Sequence, residues 1–222
     1  MFDDRTQAGR ILADRLAPLS LENTVVFALP RGGVPVAAPI AERLSAPLDL
    51  VLVRKIGAPS QPELAIGAVT DGIEPECVFN QRIIRELGVT QTEIDAISAR
   101  EKAEIERRRM LYLHDRPRVE ARGRTVIVVD DGVATGATMK VALTALKKHA
   151  PARIILAVPV APPSVIAALK PFVDDVICLE SSDYFPGVGA FYRAFPQVSD
   201  REVITILDRL PPQRENISFR VT

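Results

Sequence analysis

The groups best suited to chemistry stand together in residues 126–138, Val126-Ile127-Val128-Val129-Asp130-Asp131-Gly132-Val133-Ala134-Thr135-Gly136-Ala137-Thr138. Asp130 and Asp131 supply adjacent carboxylates, which accept hydrogen bonds from hydroxyls or hold a divalent cation. The residues after them are small, with Thr135 and Thr138 adding hydroxyl donors. Small side chains let backbone N–H groups converge on an anion, and a helix opening near Ala137 presents its positive end to the same place. Two acids followed by an anion cradle suit a ligand phosphorylated at one end and carrying hydroxyls or a metal nearby. A sugar phosphate has that shape. The spacing fits neither a Walker loop, since no Lys follows Gly136, nor the G-x-G-x-x-G dinucleotide fingerprint.

Two smaller clusters could join this one. Pro30-Arg31-Gly32-Gly33 pairs two glycines, which allow tight backbone curvature beside a ligand, with a permanently charged guanidinium suited to phosphate. Arg54-Lys55 follows the aliphatic run 48–53, which reads as a strand. Cations at the carboxyl end of a parallel strand face the side on which open α/β sheets bind ligands.

The 126–138 run closely resembles the phosphoribosyl-diphosphate (PRPP) signature of the type I phosphoribosyltransferases: hydrophobic residues, two acids, a short spacer, then Thr-Gly-x-Thr. The resemblance implies that Asp130 and Asp131 contact the ribose hydroxyls and the metal shell. It gives the 5′-phosphate to Ala134, Thr135, Gly136, Ala137 and Thr138, with Gly132 a further PRPP-binding residue. Arg31, Gly32 and Gly33 resemble the family's short pyrophosphate loop, with Arg54 and Lys55 as further groups for the diphosphate. Asp130, Asp131, Arg54 and Lys55 are then the catalytic candidates. By the same resemblance the reaction is displacement of pyrophosphate from C1 of PRPP by a nitrogenous acceptor. Mg²⁺ would be carried largely by substrate oxygens, because this ion keeps waters and phosphate oxygens as ligands. Enzymes for 6-oxopurines carry an Asp where this chain has Ala134, so a 6-oxopurine acceptor is not expected. The alternative is a PRPP-sensing regulator that binds without turnover and contacts nucleic acid or a protein partner. Retention of Arg31 and Arg54-Lys55 favours the enzyme, since a sensor need not preserve groups aimed at the leaving diphosphate. A hydrolase using the two acids would need a nucleophile in a recognisable setting, which the chain lacks.

The elements that must position these groups follow from hydrophobic periodicity. Strand-like runs at 24–29, 48–53, 126–129, 153–160 and 175–179 alternate with helical patterns, which predicts an open, mostly parallel, doubly wound α/β sheet. Residues 4–19 read as an amphipathic opening helix. Residues 56–72, with Gly57, Pro59, Pro62, Gly67 and Gly72, read as an irregular mobile loop closing over the substrate. A short extra strand is expected from Glu76 to Asn80. Residues 81–114 read as helical, broken at Gly88, with a capping box from Thr90 to Glu93 opening the longer helix. This block is a predicted insertion that covers the site or makes an oligomer contact, and a homodimer is compatible with it. Residues 181–197 hold Tyr184, Phe185, Phe191, Tyr192 and Phe195, and stand where the family places its acceptor-covering hood, so Tyr184, Phe185, Phe191 and Tyr192 are the acceptor candidates. Ser199-x-x-Glu202 caps a last helix, and the tail from Pro211 is expected to be loose.

A chain of 222 residues with 47% hydrophobic content fits one domain with elaborations: a core over about residues 20–180, the helical insertion at 80–115, and a hood at 181–200 with the terminal helix. The formal net charge is zero, so bulk electrostatics gives no reason to expect nucleic-acid or membrane binding. The arginines of residues 101–124 alternate with acids at helical spacing, which suits a salt-bridged face. Cys77 and Cys178 lie far apart with no CxxC, consistent with a reducing compartment. No apolar leader or spanning run occurs, and a cytoplasmic location is expected.

Overall fold

The predicted parallel strands are runs of mostly aliphatic residues; the structure covers both faces of those at 24–28, 125–129 and 153–161, while the edge run 175–181 is only partly buried. The computed structural model describes residues 1–71, 77–114 and 116–210. Helix α1 (Arg5–Leu16) begins at Asp4, whose side chain accepts from the Gln7 N–H. Strand β1 (Thr24–Ala28) leads into α2 (Gly33–Leu44) and the short β2 (Leu48–Leu50). Next come β3 (Val53–Ala58), β4 (Gln61–Thr70), β5 (Cys77–Phe79), α3 (Gln81–Leu87) and α4 (Gln91–Leu113). The second half is β6 (Thr125–Val129), α5 (Ala137–Lys148), β7 (Arg153–Ala161), α6 (Pro163–Leu169), β8 (Asp175–Ser181) and α7 (Asp200–Arg209).

The main sheet has the order β2-β1-β6-β7-β8, all parallel. The two-residue side-chain period divides its strands between two cores. Val26, Ala28, Ile127, Val129, Ile155 and Ala157 face a core shared with α1, α2 and α7. Val25, Phe27, Val126, Val128, Leu156 and Val158 face the other, closed by α5 and Leu169 of α6. From β1 the chain runs outward to β2, whereas from β6 it runs the other way to β7 and β8. The carboxyl ends of β1 and β6 therefore flank the switch point, the crevice where such sheets bind ligands.

Two expectations are corrected here. The aliphatic run 48–53 is not one strand: parallel pairing stops at Leu50, and Val53 begins a separate antiparallel sheet of order β3-β4-β5. Arg54 and Lys55 thus lie inside β3 rather than at the carboxyl end of a parallel strand. Residues 56–70 are not irregular either. They form most of a hairpin, in which Gly57 and Gly67 sit where the paired backbone comes too close for a side chain: a Cβ on Gly67 would stand 2.6 Å from the Val78 carbonyl oxygen. The glycines that suggested a loop are instead close-packing positions within strands.

The helical stretch divides as its spacing predicts. Asn80 caps α3, Gly88 ends it at φ 63°, and Thr90 with Glu93 forms the reciprocal capping box of α4. Gly72, Glu76 and the tail from Pro211 lie outside the described residues. Among the described residues no helix is long and apolar enough to cross a membrane.

Candidate functional site at the sheet switch point

The loop after β1 and the loop after β6 touch, and glycine is what allows it. A Cβ on Gly32 would stand 2.1 Å from Asp131 Oδ2, and one on Gly33 would stand 2.7 Å from the Val129 carbonyl oxygen. Leu29 N–H donates to that same carbonyl at 2.9 Å, continuing the sheet ladder to the rim of the crevice. The Pro30–Arg31 peptide is cis. Gly32 and Gly33 are set directly against Asp131 and Asp130, with Arg31 beside them in the chain.

Beyond the acids the chain turns at Gly136, whose φ of 77° favours glycine, and enters α5. Ala134, Thr135, Ala137 and Thr138 are exposed, and among the described residues neither threonine hydroxyl has a hydrogen-bond partner. The open loop at the positive end of a twelve-residue helix has the donors an anion needs.

The acid pair is more enclosed. Asp130 Oδ1 accepts from the Asp131 N–H at 2.8 Å. Asp131 Oδ2 accepts from Arg5 Nε at 2.7 Å, with both side chains largely buried. Arg5 also donates to the Pro196 carbonyl at 2.7 Å and stacks on the Phe195 ring with its guanidinium carbon 3.7 Å from the centroid. Burial, with the Asp131 charge beside it, pushes the Asp130 carboxyl well above the usual carboxylate range. Burial also raises Asp131, against the opposing pull of Arg5. Two close carboxylates with one cation between them are poised to take up positive charge or hydroxyl donors.

The remaining predicted residues are distributed unevenly. Alternation along β3 sends Arg54 and Lys55 to opposite faces. Arg54 binds Glu101 of α4, Nε to Oε2 at 2.7 Å. Lys55 pairs with Glu63 at 3.0 Å and lines a cleft of about 620 Å³ together with Ala137 and Thr138 of the anion loop. Lys55 is thus brought beside the site, and Arg54 is tied to a structural helix. The aromatic segment divides similarly. Tyr192 is 5% exposed, packs between Phe2 and Phe195, and donates its hydroxyl to the Asp131 carbonyl at 2.6 Å. Phe185 and Phe191 stack at 5.2 Å, and Tyr184 is 81% exposed. Tyr192 therefore buttresses the acid loop from behind.

Arg5 is the site residue that sequence spacing does not reveal, since 126 positions separate it from Asp131. No local signal marks it, because the Asp4 carboxylate beside it already offsets a cation at the start of α1. Phe2 and Tyr192 form a parallel bridge that fastens this N-terminal segment to the hood.

For a metal, the protein supplies little. Among the described residues no group of three or more Asp, Glu, His or Cys could hold an ion, and Arg5 occupies one oxygen of Asp131. That donor set fits an ion such as Mg²⁺ that takes one or two carboxylates and draws its other ligands from substrate oxygens and water.

Comparison with known proteins agrees with this arrangement. Residues 72–188, which include the acid pair and the anion loop, match the model of the phosphoribosyl transferase domain. Two Mycobacterium tuberculosis proteins, "Putative phosphoribosyl transferase MT0597" of strain CDC 1551 and "Putative phosphoribosyl transferase Rv0571c" of strain H37Rv, are each 44% identical over 210 residues, covering 94% of this chain. The match covers 47% of each, so this chain spans about half the length of these relatives. The crystal structure of TT1426 from Thermus thermophilus superposes with a TM-score of 0.81 at 43% identity, covering 95% of this chain and 99% of that one. A hypothetical protein from Neisseria gonorrhoeae, 14% identical with a TM-score of 0.50 over 94% of this chain and 98% of that one, shares the fold alone. With the motif, the switch-point geometry and these matches together, the chain belongs to the phosphoribosyl transferase domain family.

Proposed function

We propose that this chain binds PRPP across the β1–β6 crevice and transfers its phosphoribosyl group to a small nitrogenous acceptor, releasing pyrophosphate. The observation that carries the reading is the contact between the two loops: the Gly32 Cα is set against the Asp131 carboxylate, with the open anion loop on the same rim. In this reading the 5′-phosphate lies on residues 134–138, the ribose hydroxyls meet Asp130 and Asp131, and the diphosphate extends over Arg31-Gly32-Gly33. Holding the ribose rigidly while its C1 gains positive character, beside two carboxylates and away from bulk water, is what such a site can contribute. Asp130 would hold a Mg²⁺ ion, which when bound neutralises charge on the departing diphosphate. Lys55 is placed to approach the donor from the hairpin, and its pairing with the exposed Glu63 is loose enough to exchange.

Ala134 supports an acceptor other than a 6-oxopurine, since its methyl group offers no hydrogen bond to a ring. With Tyr192 packed behind the acid loop, Tyr184, Phe185 and Phe191 are the aromatic side chains left for an acceptor.

The test is to incubate the protein with PRPP, Mg²⁺ and a panel of bases and amines while following pyrophosphate release. Turnover on one acceptor class, reduced at least ~100-fold in Asp130→Asn, is the expected outcome, a loss typical of removing a group that stabilises the transition state. Tight PRPP binding without turnover on any acceptor would replace the enzyme reading with that of a sensor.

A further inference from the structure

We propose that Asp200 is a positioning residue for Arg31, fixed by Tyr112, so that α4 and α7 together aim the arginine at the diphosphate half of the donor. This rests on the reading of the crevice as a PRPP site.

The three groups come from distant parts of the chain. Tyr112, near the end of α4, is 3% exposed and donates its hydroxyl to Asp200 Oδ1 at 2.6 Å. Burial and that hydrogen bond push its phenol up to about 12, so it remains a donor throughout the neutral range. The same Asp200 oxygen stands 3.5 Å from Arg31 Nη1. Asp200 is the first residue of α7, but the end of that helix is already satisfied by Ser199, whose hydroxyl accepts from the Glu202 N–H. Capping thus explains Ser199 and leaves the Tyr112 contact unexplained.

The geometry is that of a guide. A short bond to a buried phenol fixes the carboxylate, and the carboxylate meets Arg31 at one nitrogen over a longer distance. A guanidinium has five N–H donors, so this contact leaves the rest of the fork for phosphate oxygens. Arg31 is 37% exposed and otherwise unrestrained among the described residues. A long side chain held in advance loses less freedom when its ligand arrives. The arrangement also gives α4 and α7 a part in the site although neither reaches the crevice with a ligand group of its own.

The experiment is calorimetric titration of the full chain with PRPP, inorganic pyrophosphate and ribose 5-phosphate, each with Mg²⁺. Asp200→Ala is expected to weaken PRPP and pyrophosphate about tenfold and to leave ribose 5-phosphate within about twofold. Asp200→Asn, which can still accept from Tyr112 and Arg31, should recover most of the loss, with Tyr112→Phe in between. In an Arg31→Ala background, Asp200→Ala should add nothing. Tighter pyrophosphate binding in both Asp200 variants would show a repelling neighbour and overturn the proposal. So would parallel weakening of ribose 5-phosphate, or additive effects of the Arg31 and Asp200 changes. A wild-type chain that binds PRPP and an Asp200→Ala variant indistinguishable from it would defeat this inference alone; a wild-type chain that does not bind PRPP would defeat the functional reading with it.

Discussion

Asp131 is held from three sides: by Arg5 at one carboxylate oxygen, by the Gly32 backbone beside that oxygen, and by Tyr192 at its carbonyl. The carboxylate cannot step aside, so Gly32→Ala must displace it. We predict that this variant loses ~1–3 kcal/mol of stability, as overpacked sites do, and binds PRPP at least tenfold more weakly by calorimetry. Arg5→Met keeps the stem over Phe195 but leaves a buried carboxylate without its cation. Breaking such a pair costs about 3–5 kcal/mol, measurable by urea denaturation, and the loss should be partly restored by Arg5→Lys. At this scale the placement of Asp130, Asp131 and the exposed loop 134–138 between β6 and α5 was legible, because a contiguous motif needs only local backbone to assemble. Arg5 was not, because it meets Asp131 only through the packing of α1 on α2 and the sheet.

Helix α4 is bound to the body of the protein by charge as much as by apolar contact. Arg109, 5% exposed, donates to Asp71 at 2.7 Å and to Asp49 at 3.1 Å, and Arg54 reaches Glu101 across the β3 face. Several other arginines of this stretch also have internal partners: Arg107 and Arg108 on Glu104, Arg118 on Asp71 and Glu106, and Arg116 on the Leu207 and Leu210 carbonyls. The basic run is therefore partly the salt-bridged helix face its spacing predicts, through Glu104, while Arg109 and Glu101 tie α4 to β2 and β3. Arg109→Met should destabilise by ~3–5 kcal/mol, since it strands two buried acids. The pH dependence has a definite sign. Burial raises the Asp71 carboxyl above its ordinary value, so the folded state binds the proton more tightly than the unfolded one. Stability from this group declines as pH rises through the interval between the unfolded and folded values. Without Arg109 that interval widens, so the gap in Tm between variant and wild type should be smaller near pH 4 than at pH 8, as calorimetric melting can show. An equal gap at both pH values would refute this account. At the exposed end of the same helix, Thr90→Ala removes the capping box and should cost about 1 kcal/mol. The capping residues and the Gly88 break were readable locally; the burial of Arg109 was not, since its acids stand 60 and 38 positions away.

Taken as a whole, the molecule ties distant segments to the loops of the crevice: Phe2 bridges Tyr192, Arg5 reaches Asp131, and Asp200 meets Arg31. A ligand that bridges the loops after β1 and β6 should therefore stabilise the entire fold. At a hundredfold excess over its Kd, PRPP with Mg²⁺ is expected to add about 2.7 kcal/mol, seen as a raised Tm that Asp130→Asn largely abolishes. The sequence by itself determined the sheet class and the placement of the acid pair and the small-residue loop between β6 and α5, because aliphatic runs, small-residue loops and caps act through neighbours a few positions apart. Tertiary structure decided the rest. It ended the run 48–53 at Leu50 and turned the glycine-rich stretch after it into a hairpin, because strand partners and not propensity set those boundaries. It separated Lys55 from Arg54 by strand alternation, packed Tyr192 behind the acid loop with its hydroxyl on the Asp131 carbonyl, and chose Arg5 and Asp200 as partners of Asp131 and Arg31. Each of those contacts joins residues far apart in the chain, and no local pattern records which pairs will meet once the two cores close.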